Sequence, residues 1–235
     1  MQLTIKHPFL CLPVVSHPKD TRVLKLFDGE KLLLCVYFPF GEAAADNGTY
    51  SYEYLSPLPV SEWMGRTLTL SAEFPAGFED AVTQTDELPV SGEVHPAVHF
   101  TANAGWINDP NGLVYDNGTY HLYYQHNPFG VNWNNMSWGH ATSTDLLHWT
   151  RLPVAMLPDE EGTIFSGCGL TNEHRDEIQA AADSNLYRSL PKDALLFFYT
   201  AAGGSHDSAC SEGKDYTQHT AYSTDHGLTL QKLPG

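Results

Sequence analysis

The sequence predicts an all-β protein in two parts: a small β-sandwich over residues 1–92, followed by sheets of β-propeller type over residues 93–235. Three observations support this prediction. Short apolar runs alternate with clusters of turn-forming residues along most of the chain. Hairpin signals occur at Asp28-Gly29 and at Asn117-Gly118. A strand–turn–strand pattern also occurs twice, as expected for a fold built from repeated sheets.

The first 92 residues contain the apolar runs "FLCLPVV", "RVLKLFDGEKLLLCVYFPF" and "RTLTLSAEFP", and no helical period of useful length. Within the second run, "KLFDGEKLL" is typical of a hairpin that reverses at Asp28-Gly29. Short strands separated by frequent turns predict a β-sandwich. Residues 83–98, "TQTDELPVSGEVHPAV", are interpreted as the connection to the second part.

Aromatic residues become dense from about residue 99 onward. "LVYDNGTYHLYYQ" is the second hairpin signal, and the continuous apolar run at 194–201 predicts a strand buried on both faces. Residues 219–230 predict another strand followed by a turn. Residues 172–189 form the one credible helix of the sequence, although this segment could equally be a surface loop.

A sequence pattern that occurs twice supports the prediction of a propeller. "GHATSTDLLHWTRL" and "TAYSTDHGLTLQKL" share a strand, a Ser-Thr-Asp turn and a second strand rich in leucine, and they lie about 80 residues apart. A four-stranded unit that recurs at a fixed interval is what a β-propeller produces.

The charge balance excludes two classes of partner. The chain has 28 Asp and Glu against 12 Lys and Arg, a net charge of −16 that repels nucleic acids and anionic membrane surfaces. No run of 18 apolar residues occurs, so no membrane-spanning helix is expected. The N-terminal "MQLTIKHPFLCLPVV" contains a proline and lacks a small-residue cleavage site, so it is interpreted as a strand and not a signal peptide. A cytoplasmic protein is expected on this ground, with a secreted protein as the alternative.

The cysteines and histidines show no metal-binding pattern. Cys11, Cys35, Cys168 and Cys210 form no CxxC pair, and the 12 histidines form no HExxH or paired ligand spacing. Neither a metal nor a cofactor is therefore expected. Four cysteines allow three pairings, and the spacing selects none of them, so buried free thiols are the expectation.

The stretch "GWINDPNGLVY", residues 105–115, contains the main candidate for chemistry. Its central "NDPNG" is a good turn on composition alone. Pro110, however, favours an extended backbone at Asp109, so that the carboxylate can project from the chain. Asn108 can fix this carboxylate or a ligand hydroxyl, and Trp106 offers a flat apolar face that suits a sugar ring. A carboxylate ionised at neutral pH is the form that a nucleophile requires.

Three motifs, "GWINDPNGLVY", "YHLYYQHNPFGVNWNNMSWGHATSTDLLHW" and "IFSGCG", together resemble glycoside hydrolase family 32, the family of invertases, inulinases, levanases and other fructan hydrolases. They occur in the family's order and spacing, densely over residues 98–170 and thinly to residue 230. Residues 1–92 resemble, more loosely, the small β-domain that precedes the catalytic domain in some bacterial fructan hydrolases. The resemblance implies a five-bladed β-propeller with a funnel-shaped active site, of which these residues would form about two blades.

The resemblance also implies an activity, the retaining hydrolysis of terminal β-D-fructosyl linkages in sucrose, inulin or levan. Asp109 would attack the anomeric carbon as the nucleophile, and a separate acid would protonate the leaving oxygen. Residue by residue, the resemblance assigns the substrate-binding side chains as Trp106, Asn108, Gln125, Trp133, Phe165 and Ser166. Amide and hydroxyl groups suit sugar hydroxyls, and aromatic rings can wall the sugar ring. For Trp106, and for Trp138 and His140 in the same motifs, sugar contact and packing in the core stay equally open.

The sequence departs from the family pattern in two ways. Cys168 occupies the last position of the usual "FSGS", where a thiol removes no catalytic group. The Arg-Asp-Pro motif, which stabilises the transition state, and the Glu-Cys motif, which carries the general acid, do not occur within these 235 residues. Two alternatives stay open: a five-bladed glycosidase acting on arabinose or xylose polymers, and a non-catalytic carbohydrate-binding module.

Overall fold

A computed structural model describes residues 1–42, 49–89, 96–174 and 189–233. Within these ranges the strands form four antiparallel sheets, which confirms the prediction of an all-β protein. The earlier strands are β1 (Gln2–Thr4), β2 (Phe9–Val14), β3 (Asp20–Asp28), β4 (Lys31–Phe40), β5 (Tyr54–Pro59), β6 (Thr67–Ser71) and β7 (Thr83–Thr85). The later strands are β8 (Trp106–Asp116), β9 (Thr119–Asn127), β10 (Ser137–Ser143), β11 (Thr150–Met156), β12 (Thr163–Thr171), β13 (Leu195–Ala202), β14 (Tyr216–Ser223) and β15 (Gln231–Lys232).

The helices that lie wholly within the described ranges are one α-helical turn, α1 (Phe78–Ala81), and two 3₁₀ turns, Ser61–Trp63 and Asn172–His174. None of these helices is long and apolar enough to cross a membrane. The second 3₁₀ turn begins the segment 172–189, for which a helix or a loop was predicted. Residues 175–188 of that segment lie outside the described residues.

Two sheets of the N-terminal part pack face to face as a β-sandwich. One has the strand order β1-β6-β3-β4 and the other β5-β2-β7. Alternate residues of the strands, such as Leu24 and Leu26 in β3, point into a common core that also contains Leu10 and Leu12 of β2. Fully burying one such leucine stabilises a fold by about 1.5–3 kcal/mol. The predicted hairpin joins β3 to β4 and turns at Gly29, whose φ of 59° suits glycine.

Part of the expected connection at residues 83–98 is instead a strand. Thr83–Thr85 forms β7 and pairs with Phe9–Cys11 of β2, at the edge of the second N-terminal sheet. Residues 90–95 lie outside the described residues, and so does the predicted boundary between residues 92 and 93. The division into domains at that boundary stays a prediction.

The third and fourth sheets are two consecutive propeller-type blades. Their orders are β11-β10-β9-β8 and β12-β13-β14-β15, so each strand pairs with its neighbour along the chain. The hairpin predicted in the first blade joins β8 to β9, with positive φ at both Asn117 (46°) and Gly118 (86°), as a tight two-residue turn requires. The apolar run at 194–201 corresponds to β13, the mostly buried second strand of the next blade.

The repeated Ser-Thr-Asp segment occupies the same place in each blade, directly after the third strand. The Ser143 hydroxyl oxygen accepts hydrogen bonds from the N–H groups of Asp145 (3.2 Å) and Leu146 (2.8 Å). The Ser223 hydroxyl oxygen likewise accepts bonds from the N–H groups of Asp225 (3.4 Å) and Gly227 (2.8 Å). Serine therefore caps an equivalent turn in both blades, and the echo in the sequence reflects a structural repeat.

The N-terminal sheets contact the first blade through the segment that joins β9 to β10. Asn135 presents its side-chain amide to the edge of β4, where it accepts from the Tyr37 N–H (2.9 Å) and donates to the Tyr37 carbonyl (2.9 Å). The Phe129 ring lies 5.7 Å from Phe38 in the N-terminal core. Both backbone groups of Tyr37, in the edge strand β4, are thus satisfied by the blade.

A disulfide joins the two parts of the chain, which overturns the expectation that all four cysteines are free thiols. Cys35 in β4 is bonded to Cys210, with their Cα atoms 6.0 Å apart and 175 residues between them in sequence. The expectation failed because pairing over such a separation is decided by how the sheets pack, which spacing does not reveal. Cys11 is free and buried as expected, whereas Cys168 is free but exposed.

Replacing Cys35 with serine in the full-length protein should lower the free energy of unfolding by about 2–5 kcal/mol, because the bridge closes a long loop of the unfolded chain. The urea midpoint of unfolding measures the effect. Cys168→Ser removes an exposed free thiol and is the matched control, with an unchanged midpoint expected. Equal midpoints for the two variants would contradict the bridge.

Candidate active site

The stretch "NDPNG", although a good turn on composition alone, is part of a strand. They lie inside β8, whose register with β9 shifts once between Ile107 and Pro110 and again between Asn111 and Val114. The first irregularity holds Asp109, whose side chain is exposed. Bulges of this kind turn side chains out of the ladder and are common beside active sites.

Gly112 allows the second irregularity. Its φ is 52°, in the left-handed region that favours glycine. A Cβ atom there would lie 2.9 Å from the Tyr123 ring and 3.1 Å from the Trp138 ring. The motif therefore needs its glycine both for the backbone conformation and for close packing of β8 on the core.

Strand β8 of the first blade meets β12, the first strand of the next blade. The Ser166 hydroxyl donates a hydrogen bond to Asp109 Oδ2 at 3.2 Å, and the Gly167 N–H donates to Asn111 Oδ1 at 3.2 Å. The pairing of β12 with β13 is itself irregular between Ile164 and Gly167, so that Ser166 is free to face β8. An exposed carboxylate with a neighbouring hydroxyl is thereby held between two blades.

Two aromatic rings lie together near the start of β12, where Phe165 directly precedes Ser166. Trp133 and Phe165 lie edge to face, 6.2 Å apart, and Trp133 is 37% exposed. Gln125 is buried, and its Nε2 donates to the carbonyl of Ile164 at 2.9 Å, directly before Phe165. The structure thus groups four of the predicted residues around Asp109 and the start of β12. A carboxylate beside apolar ring faces can both react with a sugar and hold it.

The other residues of the motifs behave differently. Asn108 is exposed beside Asp109 and makes no side-chain hydrogen bond to the rest of the described chain, and Trp106 is half-buried in the same strand. Trp138 and His140 are fully buried. The Trp138 indole donates to the Phe165 carbonyl at 3.1 Å, and the His140 ring stacks 4.1 Å from Tyr123. Trp138 and His140 therefore pack in the core of the fold.

Three residues near the site were missed by the sequence reasoning. The His206 ring lies 4.7 Å from Trp133, and the Tyr216 ring lies 6.0 Å from Phe165. Asp207 is buried, and its carboxylate accepts hydrogen bonds from two neighbouring segments. Their segment between β13 and β14 shows no periodic pattern or motif that could have indicated them.

Burial controls the charge state of two histidines beneath the site. His126 donates a hydrogen bond from Nδ1 to the carbonyl of Trp106 (2.9 Å), and burial lowers its pKa to about 4. Burial, followed by the neighbouring His121, lowers the pKa of His140 to about 3. Both are therefore neutral at pH 7. Across the described ranges, no group of three His, Cys, Asp or Glu side chains is arranged to hold a metal ion.

The chain belongs to glycoside hydrolase family 32, because the model for "Glycosyl hydrolases family 32 N-terminal domain" matches residues 99–235. The levanase of Bacillus subtilis (strain 168) is 38% identical over 169 residues, which cover 72% of this chain and 22% of the levanase. The fructan beta-fructosidase of Streptococcus mutans is 37% identical over 173 residues, or 74% of this chain and 10% of that protein.

A solved structure also aligns with part of the chain. The beta-fructofuranosidase of Schwanniomyces occidentalis, complexed with fructosyl-erythritol, aligns with 33% identity and a TM-score of 0.46, over 59% of this chain and 25% of that chain. The present chain thus spans a quarter or less of these three relatives.

The buried histidines predict how stability depends on pH. In the unfolded chain they bind protons with a pKa of 6.5, whereas folded His126 does so only near pH 4. The unfolded state therefore holds more protons between these values, and the free energy of unfolding should fall by a few kcal/mol as the pH drops from about 6.5 to about 4. Urea titrations at several pH values measure this slope.

His126→Asn keeps a donor for the Trp106 carbonyl but cannot titrate, so this variant should show a smaller slope. His99→Gln changes an exposed histidine and is the control. A slope that is the same in the parent and in His126→Asn would contradict the assignment.

Proposed function

We propose that this protein is a retaining β-fructosidase that hydrolyses terminal β-D-fructosyl linkages, with Asp109 as its nucleophile. The observation that supports this most directly is the exposed Asp109 carboxylate, bonded to Ser166 at the junction of two blades of a family 32 domain. Sucrose, inulin and levan are the substrates proposed. The names of the levanase and of the fructan beta-fructosidase among the relatives agree with that class.

The geometry favours attack by one particular oxygen. Asp109 Oδ2 accepts the Ser166 hydrogen bond, and Oδ1 stays available for the anomeric carbon. As the bond from Oδ1 to that carbon forms, the bond to the leaving oxygen breaks, and a second carboxylic acid protonates this oxygen. Water then hydrolyses the fructosyl ester and restores the carboxylate. Retention in general needs the two carboxyl groups about 5–5.5 Å apart.

The surrounding side chains would bind the fructosyl unit. Trp133 and Phe165 would wall the sugar ring, because exposed aromatic faces match its apolar C–H surface. Asn108 and Ser166 would bond sugar hydroxyls. Gln125, with its Nε2 already bonded to Ile164, would offer its carbonyl oxygen, and Trp106 would complete the pocket.

The disulfide is relevant to the cellular compartment of the protein. Structural disulfides persist in oxidising compartments and are rare in the cytosol. The Cys35–Cys210 bridge therefore favours the secreted alternative over the cytoplasmic location expected from the N-terminus. The names of four relatives, exo-inulinases of Aspergillus niger, Aspergillus ficuum and Aspergillus awamori, also include the word extracellular.

Asp109→Asn in the full-length protein should lower kcat for sucrose or a fructan by at least about 10³-fold, because the amide keeps the shape of the side chain but is not a nucleophile. Each factor of ten corresponds to about 1.4 kcal/mol of barrier. The measurement is the release of fructose, with the unfolding midpoint recorded in parallel to show that the fold is retained.

Asp116→Asn is the matched control, since Asp116 is the acidic residue at the far end of the same strand. Activity of Asp109→Asn within tenfold of the parent would show that another residue is the nucleophile. A parent protein that releases arabinose or xylose but no fructose would overturn the proposed substrate class.

A further inference from the structure

The carboxylate of Asp207 takes no part in the proposed mechanism, yet it is buried and both of its oxygens are bonded. Asp207 is 2% exposed and lies in the connection between β13 and β14. Oδ2 accepts a hydrogen bond from the Met136 N–H at 3.1 Å, and Oδ1 accepts one from the Thr163 hydroxyl at 3.2 Å. Burying a carboxylate is costly, so the contacts that this group makes need an explanation.

The two segments that Asp207 bonds carry the two aromatic walls of the proposed fructosyl site. Met136 lies three residues after Trp133, in the segment that joins β9 to β10. Thr163 is the first residue of β12 and lies two residues before Phe165. The Trp133 and Phe165 rings are 6.2 Å apart and edge to face. Each oxygen of the carboxylate therefore holds the segment of one wall.

A backbone hydrogen bond joins the same two segments beside the carboxylate. The Ile164 N–H donates to the Met136 carbonyl at 2.7 Å, so Met136 bonds β12 directly and Asp207 through its N–H. Because Asp207 also bonds Thr163, the residue before Ile164, the segments are joined at two adjacent points. One bond limits the distance between two segments, whereas two bonds in different directions also limit their relative orientation. Since Met136 is buried, loss of the carboxylate would leave its N–H to be satisfied by a shift of the segment or by entering water.

We propose that Asp207 is a positioning residue, which sets the spacing and the angle of the Trp133–Phe165 pair through its two hydrogen bonds. This inference rests on the proposed function, because it takes this pair as the walls of the fructosyl site. The role depends on the two contacts and not on the negative charge. A side-chain amide can make both contacts, since its oxygen can accept from the Met136 N–H and its NH₂ group can donate to the Thr163 hydroxyl oxygen.

Asp207→Ala in the full-length protein should raise KM for sucrose about threefold to tenfold while kcat stays within about threefold of the parent value, because a wall that binds the sugar contributes to the ground state and the transition state alike. The inhibition constant of free fructose, which occupies the fructosyl site alone, should rise by a similar factor. Asp207→Asn should keep both constants within about twofold of the parent values, because the amide preserves both contacts.

Two further variants make the test specific to the proposed contacts. Thr163→Val removes the hydroxyl but keeps the shape of the side chain, and it should raise KM for sucrose by itself. Combined with Asp207→Ala it should cause no further rise, because the bond is already lost. Asp215→Ala is the matched control, since Asp215 is an exposed acid in the same connection. It should leave KM and the inhibition constant of fructose unchanged.

Three kinetic outcomes would overturn the positioning role. Equal rises of KM in Asp207→Asn and Asp207→Ala would show that the charge is required and not the two contacts. Unchanged constants in Asp207→Ala, together with a lower urea midpoint of unfolding, would show that Asp207 only stabilises the fold. A large loss of kcat at an unchanged KM would show that Asp207 acts on the chemical step.

Near-UV circular dichroism separates failure of this inference from failure of the proposed function, because it needs no substrate. The difference between the spectra of the parent and Trp133→Phe gives the signal of Trp133. This difference should change in the Asp207→Ala background and persist in the Asp207→Asn background. If the parent hydrolyses no fructoside, the proposed function fails, and the same difference still decides whether Asp207 orients the ring. An unchanged signal in Asp207→Ala would overturn the inference while leaving the proposed activity intact.

Discussion

The contact between β8 and β12 is the interaction on which the candidate site depends. Asp109 comes from one strand, and Ser166 and Phe165 come from the other, so neither blade holds the site alone. The two hydrogen bonds across the junction are each worth only about 1 kcal/mol. What keeps the strands together is the core behind them, where Tyr123 and Phe197 of neighbouring blades pack 5.0 Å apart. The geometry of the carboxylate is therefore a consequence of blade packing.

The N-terminal sandwich also supports the candidate site through contacts with the segment that joins β9 to β10. Its Phe38 ring and the edge of β4 fix Phe129 and Asn135, which flank Trp133 in the segment between β9 and β10. On the other side of the site, the bridge to Cys210 holds the segment that carries His206. Both sides of the aromatic cluster are thus tied to the sandwich. Asp109, by contrast, belongs to a strand that is held by its pairing with β9.

Features determined by neighbouring residues were predictable from the sequence, and features determined by distant contacts were not. The turn at Asn117-Gly118 and the serine-capped turns after β10 and β14 follow from local chemistry, so their patterns were sufficient. The "NDPNG" stretch has the composition of a turn, yet pairing with β9 and contact with β12 make it a bulged strand. The family motifs found Asp109 and the Trp133–Phe165 pair. The sequence around Cys35 does not indicate Cys210 as its partner, and the sequence around Phe165 does not indicate Tyr216 as its neighbour. Both contacts are determined by how the sheets pack.

His206 and Tyr216 are positioned by a different kind of structure from the one that positions Asp109. Asp109, the proposed nucleophile, lies on a strand that pairs with β9 on one side and contacts β12 on the other. His206 lies in the connection between β13 and β14, which is far longer than a tight hairpin turn, and Tyr216 is the first residue of β14. Such a connection would be mobile without anchors, and Asp207 and Cys210 supply them at positions adjacent to or near His206. His206 and Tyr216 are therefore held by contacts separate from the hydrogen bond between Ser166 and Asp109.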